Sequence, residues 1–180
     1  MQERTVESKQ IYEGRRVKLH VDRVVLTGGR ETTREVVDHP DCVAIIAVDA
    51  ENNVMLVRQF RYALARELLE IPAGVIEPGE EPIHSAFREL EEETGYTAAK
   101  MERLGGFYSS PGCFTEYLHL FLATELEPGN KTVQEDEIIE VVPVPLEQVH
   151  NLITSGELQD AKSIAGLLLA LPLHLGTSKA

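Results

Sequence analysis

Apolar and polar residues alternate over residues 17–26, near the start of the chain. This period of two is typical of a β-strand with one buried face. Residues 27–30 contain a Gly-Gly pair, and residues 31–37 continue in β-branched side chains, so the pattern predicts a β-hairpin. We therefore expect residues 1–40 to form an N-terminal antiparallel β segment.

A continuous apolar run covers residues 42–48 and predicts a strand buried on both faces. Three further stretches have strand-like patterns: residues 54–61, 117–123 and 138–144. A helix is predicted to start near Pro82, since proline is acceptable in a first helical turn. It is predicted to end at Gly95. The apolar or small residues of this helix recur every three or four positions: Ile83, Ala86, Phe87 and Leu90.

Two more helices are predicted near the C-terminus. The first is closed by Gly156, and the second is capped by Asp160 and terminated at Pro172. Helices placed between and after strands indicate a mixed α/β protein with a mixed sheet.

The net charge of −13 argues against nucleic acid or an anionic membrane as the main partner, because both attract basic surfaces. A small anionic substrate remains compatible if cations mediate the contact. The polar start lacks the apolar core of a signal peptide, and the apolar run at residues 164–173 is too short to span a bilayer. Cys42 and Cys113 form no CxxC pair; this count suits a reducing cytoplasm better than a disulfide scaffold, although it is compatible with one bridge, so we expect a cytoplasmic protein.

Four glutamates crowd the end of the predicted helix at residues 88–95, where the helix dipole disfavours negative charge. At 3.6 residues per turn, Glu93 lies about 40° from Glu89, and Glu92 about 60° from it on the other side, whereas Glu91 is roughly opposite. Carboxylates sharing one face suit Mg²⁺ or Mn²⁺. On the helix alone, an exposed acidic face is the favoured interpretation, because that is the commoner fate of a run of charges.

The preceding loop changes this balance. Eight positions fit the pattern G-x5-E-x7-R-E-U-x-E-E-x-G-U, where U is a bulky aliphatic residue: Gly74, Glu80, Arg88, Glu89, Leu90, Glu92, Glu93 and Gly95. The pattern resembles the Nudix box of the Nudix hydrolases, and only the final position, Tyr96, departs from it. The resemblance implies a Nudix-type α/β/α sandwich over residues 41–175.

The resemblance also implies roles for individual residues. Glu89, Glu92 and Glu93 would be catalytic glutamates that hold the metal, and the Ala73 carbonyl would be a further ligand. Arg88 would orient carboxylates such as Glu80 through paired hydrogen bonds.

A second motif lies beyond the box. Pro111 follows Tyr96 by fifteen residues, and the order Ser-Pro-Gly-x-x-x-Glu resembles the ADP-ribose pyrophosphatase subfamily. This implies substrate contacts from Pro111, Gly112 and Glu116, and a phosphate contact from Arg61. In the acidic group at residues 134–141, Glu135 aligns with the catalytic base and Glu137 with a metal ligand.

We therefore expect hydrolysis of ADP-ribose, or a close nucleoside diphosphate sugar, to AMP and ribose 5-phosphate with Mg²⁺ or Mn²⁺. GDP-mannose, NADH, FAD and oxidised nucleotides are alternative substrates on the same scaffold. A non-catalytic nucleotide-sensing module is the alternative of another class. The resemblance also implies a homodimer formed through the N-terminal strands.

Overall fold

A computed structural model describes residues 2–129 and 138–175 of the chain. It contains two compact units: the first comprises the chain up to Asp41 together with Tyr108–Tyr117, and the second comprises the other described residues. No helix in these two ranges is long and apolar enough to cross a membrane.

Three antiparallel strands form the sheet of the first unit: β1 (Arg4–Glu13), β2 (Lys18–Val25) and β3 (Glu31–Asp38), in that order. The Gly28–Gly29 turn between β2 and β3 has φ angles of 105° and 86°, which favour glycine. Val37 at the end of β3 donates to the Cys113 carbonyl at 2.7 Å and accepts from the Thr115 N–H at 3.1 Å. The predicted antiparallel β segment is confirmed.

The other strands are β4 (Cys42–Ala47), β5 (Asn53–Arg61), β6 (Arg66–Glu70), β7 (Ala73–Val75), β8 (Tyr96–Tyr108), β9 (Tyr117–Pro128) and β10 (Ile139–Pro145). They form one sheet of order β7-β4-β9-β8 and one of order β10-β5-β6. The first is mixed, since β4 is parallel to β9 and antiparallel to β7.

Within the described ranges, three α-helices accompany these strands: α1 (Pro82–Thr94), α2 (Val149–Ser155) and α3 (Ala161–Leu175). Single 3₁₀ turns cover Tyr62–Leu64 and Leu146–Gln148. Every residue of β4 is buried. Its odd-numbered side chains share a core with α1, and its even-numbered side chains share a core with α3. Helices on both faces of a mixed sheet confirm the predicted α/β/α class.

Some local predictions were wrong. Pro172 lies inside α3, which continues to Leu175, because a helix can accommodate a proline by a kink and the lost hydrogen bond does not have to end it. Ile83 is 40% exposed and does not belong to the buried face of α1. The strand β8 was not predicted, since its mixed polar sequence and its glycines give no clear alternation.

Candidate active site

The orientation of α1 is set by its apolar side. Ala86 and Leu90 are fully buried against the odd-numbered side chains of β4. The helix ends at Gly95, whose φ of 75° permits its N–H to bond the Glu91 carbonyl at 2.8 Å. With this side fixed, Glu93 is turned inward and only 7% exposed.

Two of the glutamates, Glu89 and Glu93, contact the strand β7. Gly74 pairs with Val43 of β4, and a Cβ atom at Gly74 would lie 1.9 Å from Cδ of Glu89. The Glu89 carboxylate therefore occupies space that only a glycine leaves open. The neighbouring Ala73 N–H donates to Oε2 of Glu93 at 3.1 Å. The structure thus places Glu89 and Glu93 against adjacent residues of one strand.

Arg88 connects the loop to the helix. Its Nε and Nη2 atoms each donate to a different oxygen of Glu80 at 3.0 Å. Its Nη1 donates to Oε1 of Glu89 at 2.7 Å and to Oε2 of Glu92 at 3.2 Å. We call this group, Arg88 with Glu80, Glu89 and Glu92, the Arg88 clasp. It brings the third predicted metal ligand, Glu92, to the same guanidinium as Glu89.

Within the clasp, Arg88 and Glu80 set each other's charge state. Hydrogen bonds from Arg88 lower the pKa of Glu80 to about 2. The same bonds to Glu80, with those to Glu89, raise the pKa of Arg88. Both groups are therefore charged at neutral pH, and the carboxylates of the clasp and Glu93 outnumber its single guanidinium.

The excess of carboxylates fits a divalent cation. Glu89, Glu92 and Glu93 offer the hard oxygen ligands that Mg²⁺ and Mn²⁺ prefer. Two of these carboxylates are held in place by the protein itself, Glu89 in the space beside Gly74 and Glu93 by the Ala73 N–H. Glu91 is directed elsewhere, because a Cβ atom at Gly129 would lie 3.0 Å from its Oε1.

Arg61, the predicted phosphate contact, ends β5 in the same unit. Its Nε and Nη2 donate to the two oxygens of Glu70 at 2.7 and 2.6 Å, and its side chain is 39% exposed. These hydrogen bonds raise the pKa of Arg61, and the charge of Glu93 contributes to the same effect. Its Nη1 donates to no residue in the described part of the chain.

Pro111, Gly112 and Glu116 belong to the first unit. Pro111 and Gly112 lie in a turn in which the Cys113 and Phe114 N–H groups bond the Ser110 carbonyl at 3.1 and 2.9 Å. The Glu116 carboxylate lies 3.3 Å from Nδ1 of His39, with both side chains less than a fifth exposed.

The contact between His39 and Glu116 joins segments that are far apart along the chain, so local spacing does not reveal it. The predicted base Glu135 and the predicted ligand Glu137 lie outside the described residues.

A helix-borne set of glutamates, held against a glycine strand in an α/β/α sandwich, is the arrangement of a metal-dependent hydrolase of diphosphates. The NUDIX domain model matches residues 38–167, and the chain belongs to this family of hydrolases.

Its relatives include an ADP-ribose pyrophosphatase of Bacillus subtilis (strain 168), 46% identical over 91% of this chain and 89% of that protein. A methanol dehydrogenase activator of Bacillus methanolicus is 41% identical over the same shares, 91% and 89%. The crystal structure of an ADP compounds hydrolase matches with a TM-score of 0.90 over 100% of this chain and 98% of that chain. Its sequence identity is 21%, so this likeness concerns the fold alone.

Proposed function

We propose that this chain hydrolyses the diphosphate bond of ADP-ribose to AMP and ribose 5-phosphate with the help of Mg²⁺. The observation that carries the reaction type is the seating of Glu89 and Glu93 on Gly74 and Ala73, with Arg88 holding Glu89 and Glu92. The choice of ADP-ribose is supported by the relative of that name at 46% identity.

Hydrolysis adds one water molecule. The water oxygen bonds to one phosphorus, the P–O bond of the bridge breaks, and the bridging oxygen leaves with the other phosphate. A bound divalent cation would neutralise charge on the diphosphate oxygens and acidify a water molecule. Glu89, Glu92 and Glu93 would hold that cation, with the Ala73 carbonyl and Glu137 as further ligands.

The remaining residues bind the substrate or move the proton. Arg61 would donate its Nη1 hydrogens to a phosphate oxygen, which its open guanidinium edge permits. Glu116 would accept a hydrogen bond from a ribose hydroxyl, with Pro111 and Gly112 shaping the turn before it. Glu135 would take the proton of the attacking water.

A nucleotide panel tests this function. The protein is incubated with ADP-ribose, GDP-mannose, NADH, FAD or an oxidised nucleotide, each with Mg²⁺, with Mn²⁺ and with EDTA. We expect kcat/KM for ADP-ribose to exceed the others by about tenfold or more, AMP and ribose 5-phosphate as products, and no turnover with EDTA. Equal rates with GDP-mannose or NADH would contradict the substrate, and binding without turnover would favour a nucleotide-sensing module.

The quaternary structure and the compartment are part of the same proposal. The chain would act in the cytoplasm as a homodimer, with residues 1–40 forming the dimer contact and residues 41–175 the hydrolase domain. The exposure of nearly every residue of β1 supports a strand that a second copy covers. Light scattering coupled to size-exclusion chromatography tests this, and a monomer at micromolar concentration would contradict it.

A further inference from the structure

Four side chains of alternating charge form a continuous series in the second unit. Arg61 donates to both oxygens of Glu70, and Lys162 donates to Glu70 Oε2 as well. Lys162 also donates to Oδ2 of Asp160 at 3.0 Å. We call this series, Asp160–Lys162–Glu70–Arg61, the charge chain. Its central carboxylate, Glu70, is 1% exposed, so it requires cationic partners.

The first turn of α3 holds Lys162 in place. Asp160 Oδ2 accepts hydrogen bonds from the Ser163 N–H at 3.0 Å and from its hydroxyl at 2.6 Å. The same Ser163 oxygen accepts the Ile71 N–H at 2.8 Å, directly after Glu70. Lys162 is only 13% exposed. Ser163 therefore links the start of α3 to the backbone beside Glu70, next to the lysine.

Because Glu70 is shared with Lys162, Arg61 can attract a second anion more strongly. A guanidinium that alone neutralises a buried carboxylate attracts a second anion only weakly, because the carboxylate repels that anion. Lys162 supplies a second positive charge to the same oxygen of Glu70. The Nε–Nη2 edge of Arg61 is fixed on Glu70, while its side chain remains 39% exposed. The charge chain therefore ends on a fixed and accessible cation.

We propose that Lys162 is a positioning residue for Arg61: it compensates Glu70, so that the open edge of the guanidinium is held as a donor for a substrate phosphate. This inference rests on the proposed function, because it takes Arg61 as a contact of the diphosphate. Lys162 itself does not touch the substrate. Its effect reaches the substrate only through Glu70 and Arg61.

A double-mutant cycle tests this route. Lys162→Met, Arg61→Gln and the double variant are assayed with ADP-ribose and Mg²⁺ for KM and kcat, and the Kd for ADP-ribose is measured by calorimetry without turnover. We expect Lys162→Met to raise KM and Kd about tenfold with kcat within about twofold, the signature of lost uniform binding. In the Arg61→Gln background the same change should shift KM by less than about twofold, because coupled residues are not additive.

Two variants serve as controls. Lys162→Arg keeps the charge and should restore KM to within about twofold of the parent. Lys100→Met removes an exposed lysine that pairs with Glu102 at 2.8 Å, and should leave KM unchanged. Should Lys162→Met fail to fold, Lys162→Gln keeps a hydrogen-bond donor beside Glu70, removes the charge and enters the cycle in its place.

The outcomes separate the inference from the proposed function. An equal rise in KM in both backgrounds, or no rise in the Arg61-containing protein, would overturn the role of Lys162 while hydrolysis by the parent leaves the function standing. If the parent hydrolyses another nucleotide of the panel, the cycle is read with that nucleotide. A parent that neither binds nor hydrolyses any of them overturns both.

Discussion

Two groups of ion pairs in this molecule have the same distances and different surroundings. On the sheet of the first unit, Arg23 pairs with Glu7 and Glu31, and Arg34 pairs with Glu3, at 2.7 to 3.1 Å. In the Arg88 clasp the corresponding distances are 2.7 to 3.2 Å. The side chains of the first group are 42% to 64% exposed, and those of the clasp are 12% to 32% exposed.

The comparison teaches that distance alone does not decide what an ion pair contributes. Water and salt screen the pairs on the β1–β3 sheet, whose long side chains also lose rotamer freedom on pairing. In the clasp, partial burial strengthens the attraction between Arg88 and its carboxylates. Each carboxylate is also held in a fixed position on the loop or the helix. We therefore expect substitutions in the clasp and its neighbours to have large effects on activity or stability. Substitutions in the exposed pairs should have small effects.

The largest effect is expected at Glu93. Glu93→Gln removes the charge from a carboxylate that is 7% exposed and hydrogen-bonded to Ala73, so kcat/KM should fall by about a hundredfold or more. Glu91→Gln is the matched control on the same helix and should stay within about twofold of the parent. Steady-state assays with ADP-ribose and Mg²⁺ measure both. A Glu93→Gln protein that keeps activity within about tenfold of the parent would contradict the metal-site role.

The next effect concerns the space beside Gly74. In Gly74→Ala the new Cβ would lie 1.9 Å from Cδ of Glu89, so the carboxylate must move away from β7. We expect activity to fall by about 10- to 100-fold, the range found when a metal ligand loses its support. The control is Gly129→Ala, whose new Cβ would lie 2.9 Å from Cγ2 of Thr97 and 3.0 Å from Oε1 of Glu91, away from Glu89. Comparable losses of activity in the two variants would contradict a special role of Gly74.

The sequence predicted those parts of the site that depend on local spacing. The box of residues and Gly95 specify the helix and its end, and the unbroken apolar run specifies β4 as a buried strand. The spacing did not reveal the charge chain, because Lys162 and Glu70 are 92 positions apart and meet only through tertiary packing. Pro172 was misjudged because a proline inside a helix can be accommodated by a kink and does not have to end the helix.

A smaller effect is expected in the pH dependence of stability. The pKa of Glu80 is lowered from 4.5 to about 2 chiefly by Arg88, so the folded state binds its proton less readily than the unfolded state. The resulting stabilisation is complete above the unfolded pKa and is lost as the pH falls through the folded pKa. The difference in Tm between the parent and Glu80→Gln should thus be constant from about pH 6 to 8 and shrink from about pH 4.5 towards 2. Scanning calorimetry at several pH values measures it, and a difference that grows on acidification would contradict the clasp.

The smallest effect is expected at Arg34. Its Nε and Nη2 bond the two oxygens of Glu3 at 3.0 and 2.7 Å, the same bidentate geometry that Arg88 makes with Glu80. Because Arg34 and Glu3 are 42% and 44% exposed, Arg34→Ala should lower the midpoint of chemical denaturation only slightly, and less still at high salt. Chemical denaturation at low and high ionic strength measures this. A loss of stability as large as that of a clasp variant would mean that geometry, and not solvent access, decides what these ion pairs contribute.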